Sequence, residues 1–348
     1  MRLALFVPGP FDAISGGYLY DRRMVEGLRT LGHEVRVIEL GGRHPLPDAA
    51  TEAEAAAALA ALPGDVLPIV DGLGLPAFAE VADALAARRA VGLIHHPTAL
   101  ETGFSDTDRT ALKAREARLF PAMARLVATS ALTARRLPEE FPVAARSIGV
   151  VEPGTDPAPR ARGSGGPGCA ILSVGALVPR KGHDVLLRAL SRLTDLEWTL
   201  TIAGGARDPV HADGLAALAE AAGIAKRVTF AGEVDDTTLA RLYDRADLFA
   251  LATHWEGYGM AAAEALARGL PTAITAGGAI AEVVPHAAGI VSPPGDSDTY
   301  SRAMRRILFD RDLRAACAEA AWTAGQTLPR WTDRAAAFAA ECEKALAA

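Results

Sequence analysis

At 348 residues, the chain has room for a little over two domains of roughly 150 residues each. Hydrophobic residues make up 50% of it and charged ones 22%, which supports packed cores and excludes a disordered, collagen-like or disulfide-scaffold protein. The formal net charge of −6 argues against a dedicated nucleic-acid binder, because such proteins concentrate positive charge.

In chain order, the amino-terminal run MRLALFVPGP holds a buried first strand, Leu3–Val7, and lacks the longer apolar region of a signal peptide. Tyr18–Leu31 reads as a helix and Glu34–Leu40 as a strand. An Ala-rich helix near 52–62, the strand Val66–Val70 and a helix near 76–89 follow. The strand Val91–His95, a helix near 106–120, and the strands Leu126–Thr129 and Ser147–Val151 complete a first set. Strands apolar along their whole length and separated by helices imply a parallel sheet covered on both faces.

Glu152–Gly168 breaks the pattern with Pro, Gly and Ser and reads as a linker. The alternation then restarts with strands at Ala170–Val174, Trp198–Ala203, Val228–Ala231, Leu248–Leu251 and Thr272–Thr275. Helices near 182–193, 211–222, 236–245, 259–268 and 297–308 separate them, and two more near 310–324 and 331–346 finish the chain. The expected plan is α/β, two doubly wound Rossmann-like domains facing a cleft. Residues 1–155 form the first domain, 156–168 the linker and 169–328 the second domain, with a helix in 329–348 crossing back to the first. Ligands in such sheets bind at the carboxyl ends of the strands.

No run approaches the roughly 18 apolar residues of a spanning helix. The cysteines Cys169, Cys317 and Cys342 are too few and too scattered for a disulfide framework or a zinc site, and read as small buried thiols. The expected location is the cytoplasm. Lys occurs only at 113, 181, 226 and 344, so a Lys inside a motif stands out.

The strongest constellation is His254-Trp255-Glu256-Gly257-Tyr258-Gly259-Met260, continuing to Glu264, directly after an apolar strand. A glycine-broken turn feeding a helix presents free backbone N–H groups to an anionic ligand, and glycines let that ligand approach the backbone. If both lay on one helix, Glu256 and Glu264 would be about 12 Å and about 80° apart. They would then touch opposite ends of an elongated ligand, not share a proton or a metal. The plainer alternative makes Glu256 a first-turn acid and Glu264 a solvated surface residue.

This block, HWEGYGMAAAEALARGLPTAITAGG, resembles the signature of retaining GT-B glycosyltransferases, family 4 in particular. Ser173-Val-Gly-Ala-Leu-Val-Pro-Arg-Lys-Gly-His-Asp-Val-Leu-Leu resembles the family's strand and Lys-Gly helix start, which implies Arg180 and Lys181 at the donor diphosphate. Val228-Thr-Phe-Ala-Gly-Glu-Val, then Leu242-Tyr243 and Ala246-Asp247, matches the preceding segment and implies Glu233 and Val234 beside the nucleotide base. Ser15-Gly16-Gly17 resembles the first-domain glycine loop, which in the family faces diphosphate and acceptor. The resemblance gives donor-sugar hydroxyls to Glu256 and the backbone of Gly257, Tyr258, Gly259 and Met260, and the ribose to Glu264. One departure is Ala176 after Gly175, where the family often has Arg; Arg180 then takes over from a different direction.

In the first domain, the pair His95-His96 ends a strand. The family's His at this place contacts the donor sugar or the charge developing at its anomeric centre, and His95 fits better than His96. The loop Thr98–Gly103, with Thr98 and Glu101, and Asp71-Gly72 after another strand are expected to face the acceptor. Asp106-x-Asp108 and Asp296-x-Asp298 imitate a metal-binding pair, but each adjoins a helix start with Ser or Thr beside it and reads as N-capping. No essential metal and no bound cofactor are expected; cationic side chains and helix starts carry leaving-group charge. No full Gly-x-Gly-x-x-Gly follows the first strand, which disfavours a dinucleotide-dependent oxidoreductase.

The stretch 109–136 carries seven basic residues, and a basic helical face of this kind can approach an anionic membrane. The reading implied is a retaining hexosyltransferase that uses a UDP- or GDP-linked sugar and a saccharide or lipid acceptor. The alternatives are another GT-B enzyme, an epimerase or phosphorylase, and a non-enzymatic two-domain sugar-binding protein.

Overall fold

A computed structural model describes residues 1–101 and 103–348. The chain divides into two compact units, Met1–Gly154 with Pro329–Ala348, and Thr155–Leu328. The first holds strands β1 (Arg2–Pro8), β2 (Glu34–Leu40), β3 (Leu67–Asp71), β4 (Val91–Ile94), β5 (Arg125–Ala128) and β6 (Ile148–Val150). They form one parallel sheet in the order β2-β1-β3-β4-β5-β6. Its helices are α1 (Gly16–Thr30), α2 (Ala49–Ala60), α3 (Ala82–Ala87), α4 (Asp106–Leu119) and α5 (Ala131–Glu140).

Residues along β1 show why both faces need cover. Leu3, Leu5 and Val7 pack with Tyr20, Met24 and Leu28 of α1, whereas Ala4 and Phe6 pack on the other face with Leu59, Phe78 and Leu112. Successive side chains of a strand point to opposite faces, so an all-apolar strand is stable only between two helical layers.

The second unit holds β7 (Cys169–Val174), β8 (Trp198–Ala203), β9 (Val228–Gly232), β10 (Leu248–Leu251), β11 (Thr272–Thr275) and β12 (Gly289–Ser292), ordered β12-β11-β10-β7-β8-β9 and all parallel. Its helices are α6 (His183–Leu190), α7 (Pro209–Ala221), α8 (Asp236–Arg245), α9 (Met260–Ala267), α10 (Ile280–Val283), α11 (Ser297–Phe309) and α12 (Arg311–Gln326). The last helix, α13 (Trp331–Ala347), packs in the first unit, where Phe338, Ala339 and Cys342 join the α1 face of the core. These are the two Rossmann-like sheets of the GT-B pattern. Strand order reverses direction between β1 and β3 in one sheet and between β7 and β10 in the other, and such switch points leave a crevice for ligand at the strands' carboxyl ends.

Several elements depart from the sequence reading. The helix expected near 76–89 is a 3₁₀ segment, Leu75–Val81, followed by the short α3. Leu75 to Ala79 are buried consecutively, so this segment threads the core rather than laying one helical face on it, and Pro76 starts it. Two short elements, α5 with Pro138 inside it and the edge strand β12 between glycine and proline, carried no clear signal. The stretch 156–168 lacks regular structure but is held on the second unit: Ala161 N donates to Arg268 O, Gly163 N to Asp244 O and Ser164 N to Asp247 Oδ1. All three cysteines are buried and unpaired with one another. Among the described residues no helix is long and apolar enough to cross a membrane.

Candidate active site

In the second unit the switch point gathers the residues after β7 and β10. After β7 the chain makes a one-turn helix, Pro179–Lys181, and then Gly182 at φ 62°. A Cβ on Gly182 would collide with the Ala252 carbonyl oxygen, so only glycine lets the two strand ends approach this closely. That approach brings Lys181 Nζ to 2.5 Å from Glu256 Oε1, with Arg180 Nη1 at 3.8 Å and the Thr253 hydroxyl oxygen at 3.2 Å. Glu256 is 8% exposed. Burial alone would raise its carboxyl, but Lys181 and then Arg180 hold it below its ordinary value. Burial pushes the Lys181 ammonium down, Glu256 opposing and Arg180 adding to the fall. Glu256 is therefore an anion held between two cations.

Glu256 does not lie on the helix. Gly259, at φ 109°, is the N-cap of α9, which starts at Met260. The preceding residues instead pair with Gly277–Ala279: Glu256 N donates to Gly277 O and Ala279 N to Glu256 O. The helical ruler between Glu256 and Glu264 does not apply, because the glycine turn intervenes. Both residues stay distinct in environment. Partly buried Glu264, on α9, accepts from the Tyr243 hydroxyl at 2.9 Å. Arg268 donates to the Glu264 carbonyl and lies 4.5 Å from the Tyr243 ring centroid. Burial raises the Glu264 carboxyl, with Tyr243 opposing.

Gly257 and Met260 are half-buried and Tyr258 is buried around the same turn. Glu233 is exposed and Val234 half-buried just beyond β9. Glu233 reaches the end of β8, since a Cβ on Gly205 would come within 2.9 Å of its Oε2. Ala176 contributes no cation. Gly175 beside it leaves room for the Lys181 stem, which a Cβ at position 175 would meet at 3.1 Å.

In the first unit, Ser15 N-caps α1, so Gly16 and Gly17 occupy its first turn. Gly17 packs against the ring of His95. His95 Nε2 lies 3.0 Å from Asp21 Oδ1 and 3.4 Å from Asp71 Oδ2. Both carboxylates are buried, and the imidazole is 27% exposed. Burial would lower the imidazole; the charge and hydrogen bond of Asp21, then those of Asp71, outweigh it and push it up to about 10. Asp21 escaped the sequence reading. Its one signal is a carboxylate within the buried stripe Tyr20, Asp21, Met24, Val25, Leu28 of α1. The three side chains also have the composition of a cation site.

His96 is half-buried next to His95. Thr98 is buried, and its amide and hydroxyl both donate to Glu116 Oε1, at 2.6 and 2.8 Å, while Ala99 N donates to Oε2 at 3.1 Å. Thr98 thus anchors the turn after His95-His96-Pro97 and does not present its hydroxyl outward. Of the acceptor loop Thr98–Gly103, Glu101 is half-buried and Thr102 lies outside the described residues. Glu116 had one signal as well, a carboxylate on the buried face Leu112, Glu116, Leu119 of α4. Burial raises its carboxyl to about 7 against the opposing hydrogen bonds. Glu116→Ala strands three donors and is expected to cost about 2 kcal/mol, measured by urea unfolding. Glu116→Gln, which keeps an acceptor oxygen, should lose less; equal losses would remove the anchoring role.

The two Asp-x-Asp pairs are helix starts. Ser105 caps α4, with Asp106 and Asp108 in its first turn, and Asp296 caps α11 by accepting from the Asp298 and Thr299 amides. The basic stretch is laced with carboxylates: Arg109 pairs with Asp106, Lys113 and Arg136 with Glu140, Arg115 with Glu52, Arg118 with Glu80 and Arg125 with Glu341. It is a mixed-charge face rather than a positive one.

Residues 160–323 match the family described as Glycosyl transferases group 1. A D-inositol 3-phosphate glycosyltransferase of Salinispora arenicola is 32% identical over 225 residues, covering 57% of this chain and 50% of its own. The chain spans half or less of the length of the curated relatives it matches. Among solved structures, sucrose-phosphate synthase from Thermosynechococcus elongatus superposes with a TM-score of 0.84 at 20% identity, over 99% of both chains. HepE of Anabaena in complex with UDP-glucose gives 0.73 at 16% identity, over 98% of both. The second unit is thus similar to group 1 glycosyl transferases, and the chain as a whole has the GT-B fold.

Proposed function

We propose that the protein moves a hexosyl unit from a UDP- or GDP-linked sugar to an acceptor hydroxyl with retention at the anomeric carbon. The observation that carries this reading is the Lys181–Glu256–Arg180 cluster at the second unit's switch point. A nucleoside diphosphate needs fixed positive charge where its bond to the sugar breaks, and Arg180 and Lys181 supply it. When donor binds, its phosphates compete with Glu256 for these cations and free that carboxylate for sugar hydroxyls. Glu264, oriented by Tyr243, takes the ribose. Gly257 to Met260 offer backbone groups around the α9 start.

In this mechanism the bond from the anomeric carbon to the diphosphate oxygen breaks, and the acceptor oxygen bonds to the same face. The acceptor's proton passes to the departing phosphate oxygen. No covalent nucleophile and no metal enters, so turnover is expected to persist in excess chelator. The acceptor belongs to the first unit's loops. A glycerolipid or lipid-linked saccharide is our choice, to be compared with D-inositol 3-phosphate, the acceptor class in the relatives' names.

The test is thermal unfolding with UDP, GDP, ADP, CDP and NAD⁺, with and without chelator, in wild type and Glu264→Ala. Ligand at about 100 times Kd adds about 2.7 kcal/mol, so a binding diphosphate shifts the transition visibly. Stabilisation of the wild type alone by one nucleoside diphosphate supports the reading. Stabilisation by NAD⁺ only, or by nothing, removes its support, and product from sugar nucleotide without acceptor would mark an epimerase instead.

A further inference from the structure

The Asp21–His95–Asp71 cluster belongs to the first unit alone, and its chemistry is set by two carboxylates on one ring nitrogen. A ring nitrogen facing two carboxylate oxygens, at 3.0 and 3.4 Å, must carry a proton, since a lone pair there would repel both. Two arrangements satisfy this. In one the imidazole is neutral with its proton on Nε2, leaving Nδ1 as a base; in the other both nitrogens are protonated. Two buried negative charges against one ring favour the second. Nδ1 has no protein partner among the described residues, and the imidazole is 27% exposed.

We infer that Asp21 and Asp71 are positioning residues that clamp His95 as a fixed imidazolium, whose Nδ1–H donates to an oxygen of the bound ligand. The glycosyltransferase reading enters only in naming that ligand, a sugar or phosphate oxygen. His95 then serves as a charge-bearing donor and not as the base that deprotonates an acceptor. The surroundings hold the clamp rigid. Tyr20 of α1 meets the ring edge-on, 5.2 Å between centroids, and its hydroxyl is tied to Val151 O at 2.8 Å. Leu73 N donates to Asp71 Oδ1 at 3.0 Å, and the Thr129 hydroxyl donates to His95 O at 3.4 Å. Among the described residues, the other charged or titratable groups acting on the cluster are Arg22, which opposes the rise of the Asp21 carboxyl, the Tyr20 phenol, which Asp21 helps to raise, and His44, which senses Asp71. None of the three replaces the two carboxylates at Nε2.

The experiment is imidazole nitrogen NMR of the full chain, with the His95 signal assigned by its loss in His95→Gln. In the wild type the His95 signal is expected to stay in its protonated position from pH 6 to 9. Asp21→Asn should bring its midpoint down by about one to three pH units, and Asp71→Asn by less, because that contact is longer. If a sugar nucleotide is turned over, Asp21→Asn should gain an alkaline limb at the same pH as its NMR midpoint. A wild-type midpoint near the ordinary 6.5, or no change in Asp21→Asn, overturns the proposal. Selective broadening of His95 by stoichiometric Mn²⁺, which would make the cluster a cation site, also overturns it. The expected titration in a protein that turns over no sugar nucleotide leaves the clamp standing and removes the glycosyltransferase reading alone. Circular dichroism of each Asn variant guards against misfolding, and agreement between the two variants is required.

Discussion

Glu256→Ala is expected to lower kcat/KM for sugar transfer by about a thousandfold. The loss has two physical parts. One is the carboxylate that the reading assigns to donor-sugar hydroxyls. The other is the state of Lys181, which is partly buried, with side-chain exposure of 13%, and has Glu256 as its carboxylate neighbour. Removing one partner of a buried pair typically costs about 3 kcal/mol. Here the lysine has a cheaper way out, because burial already lowers its ammonium, and it can lose its proton and with it the charge that the proposed function places at the diphosphate. Glu256→Gln separates the parts: it keeps shape and a hydrogen-bonding oxygen but removes the charge. A double-mutant cycle with Lys181→Met measures the coupling directly. Nucleoside diphosphate binding should weaken but stay measurable in Glu256→Ala, since Arg180, Glu264 and Tyr243 are untouched, so a reduced stabilisation by the nucleotide persists while turnover disappears. Full turnover in Glu256→Ala would sink the assignment of this site.

Much of this site was legible because its signals are local. The run from His254 to Glu264 announces a strand, a glycine turn and a helix in one window, and Lys181 is conspicuous in a chain with so few lysines. What was not legible is pairing across distance. Glu256 and Lys181 lie 75 positions apart, and His95 and Asp21 lie 74 apart. Nothing in a window of sequence says that two such carboxylates and cations share an end of a sheet until the strand order is known. Helical spacing misplaced Glu256 against Glu264 for a related reason. It extended the helix back through Gly259, whose left-handed backbone is the place where the helix begins. Asp21 and Glu116 each sat on a buried helical face, where an acid is costly unless it is satisfied. That conflict between pattern and residue type was the available clue in both places. The basic stretch misled in the opposite direction, since counting arginines says nothing about the carboxylates brought beside them by other elements.

The same conflict, left unresolved by any partner, governs His183. It begins α6 directly after Gly182, is fully buried, and neither ring nitrogen has a hydrogen-bond partner. Burial, then the Lys181 and His211 charges, push its imidazole down to about 3. In the unfolded chain the ordinary value is about 6.5, so between these limits the unfolded state binds a proton that the folded state refuses. Stability from this group is therefore complete above about pH 6.5 and falls as the solution is acidified, levelling off only near pH 3. The expected loss is about 2 kcal/mol at pH 5 and about 3 kcal/mol at pH 4. His95 in the other unit has the opposite sign: raised to about 10, it contributes fully below pH 6.5 and loses that contribution as pH rises toward 10. Acid lability should therefore track His183 and alkaline lability His95. Urea unfolding followed by tryptophan fluorescence reads this out, since Trp198, Trp255 and Trp322 lie in the unit that holds His183. His183→Leu removes the titrating group and both unpartnered nitrogens, so it should match or exceed wild-type stability at pH 7 and stay nearly flat down to pH 5. Parallel acid curves for the variant and the wild type would show that protonation of His183 does not drive the transition.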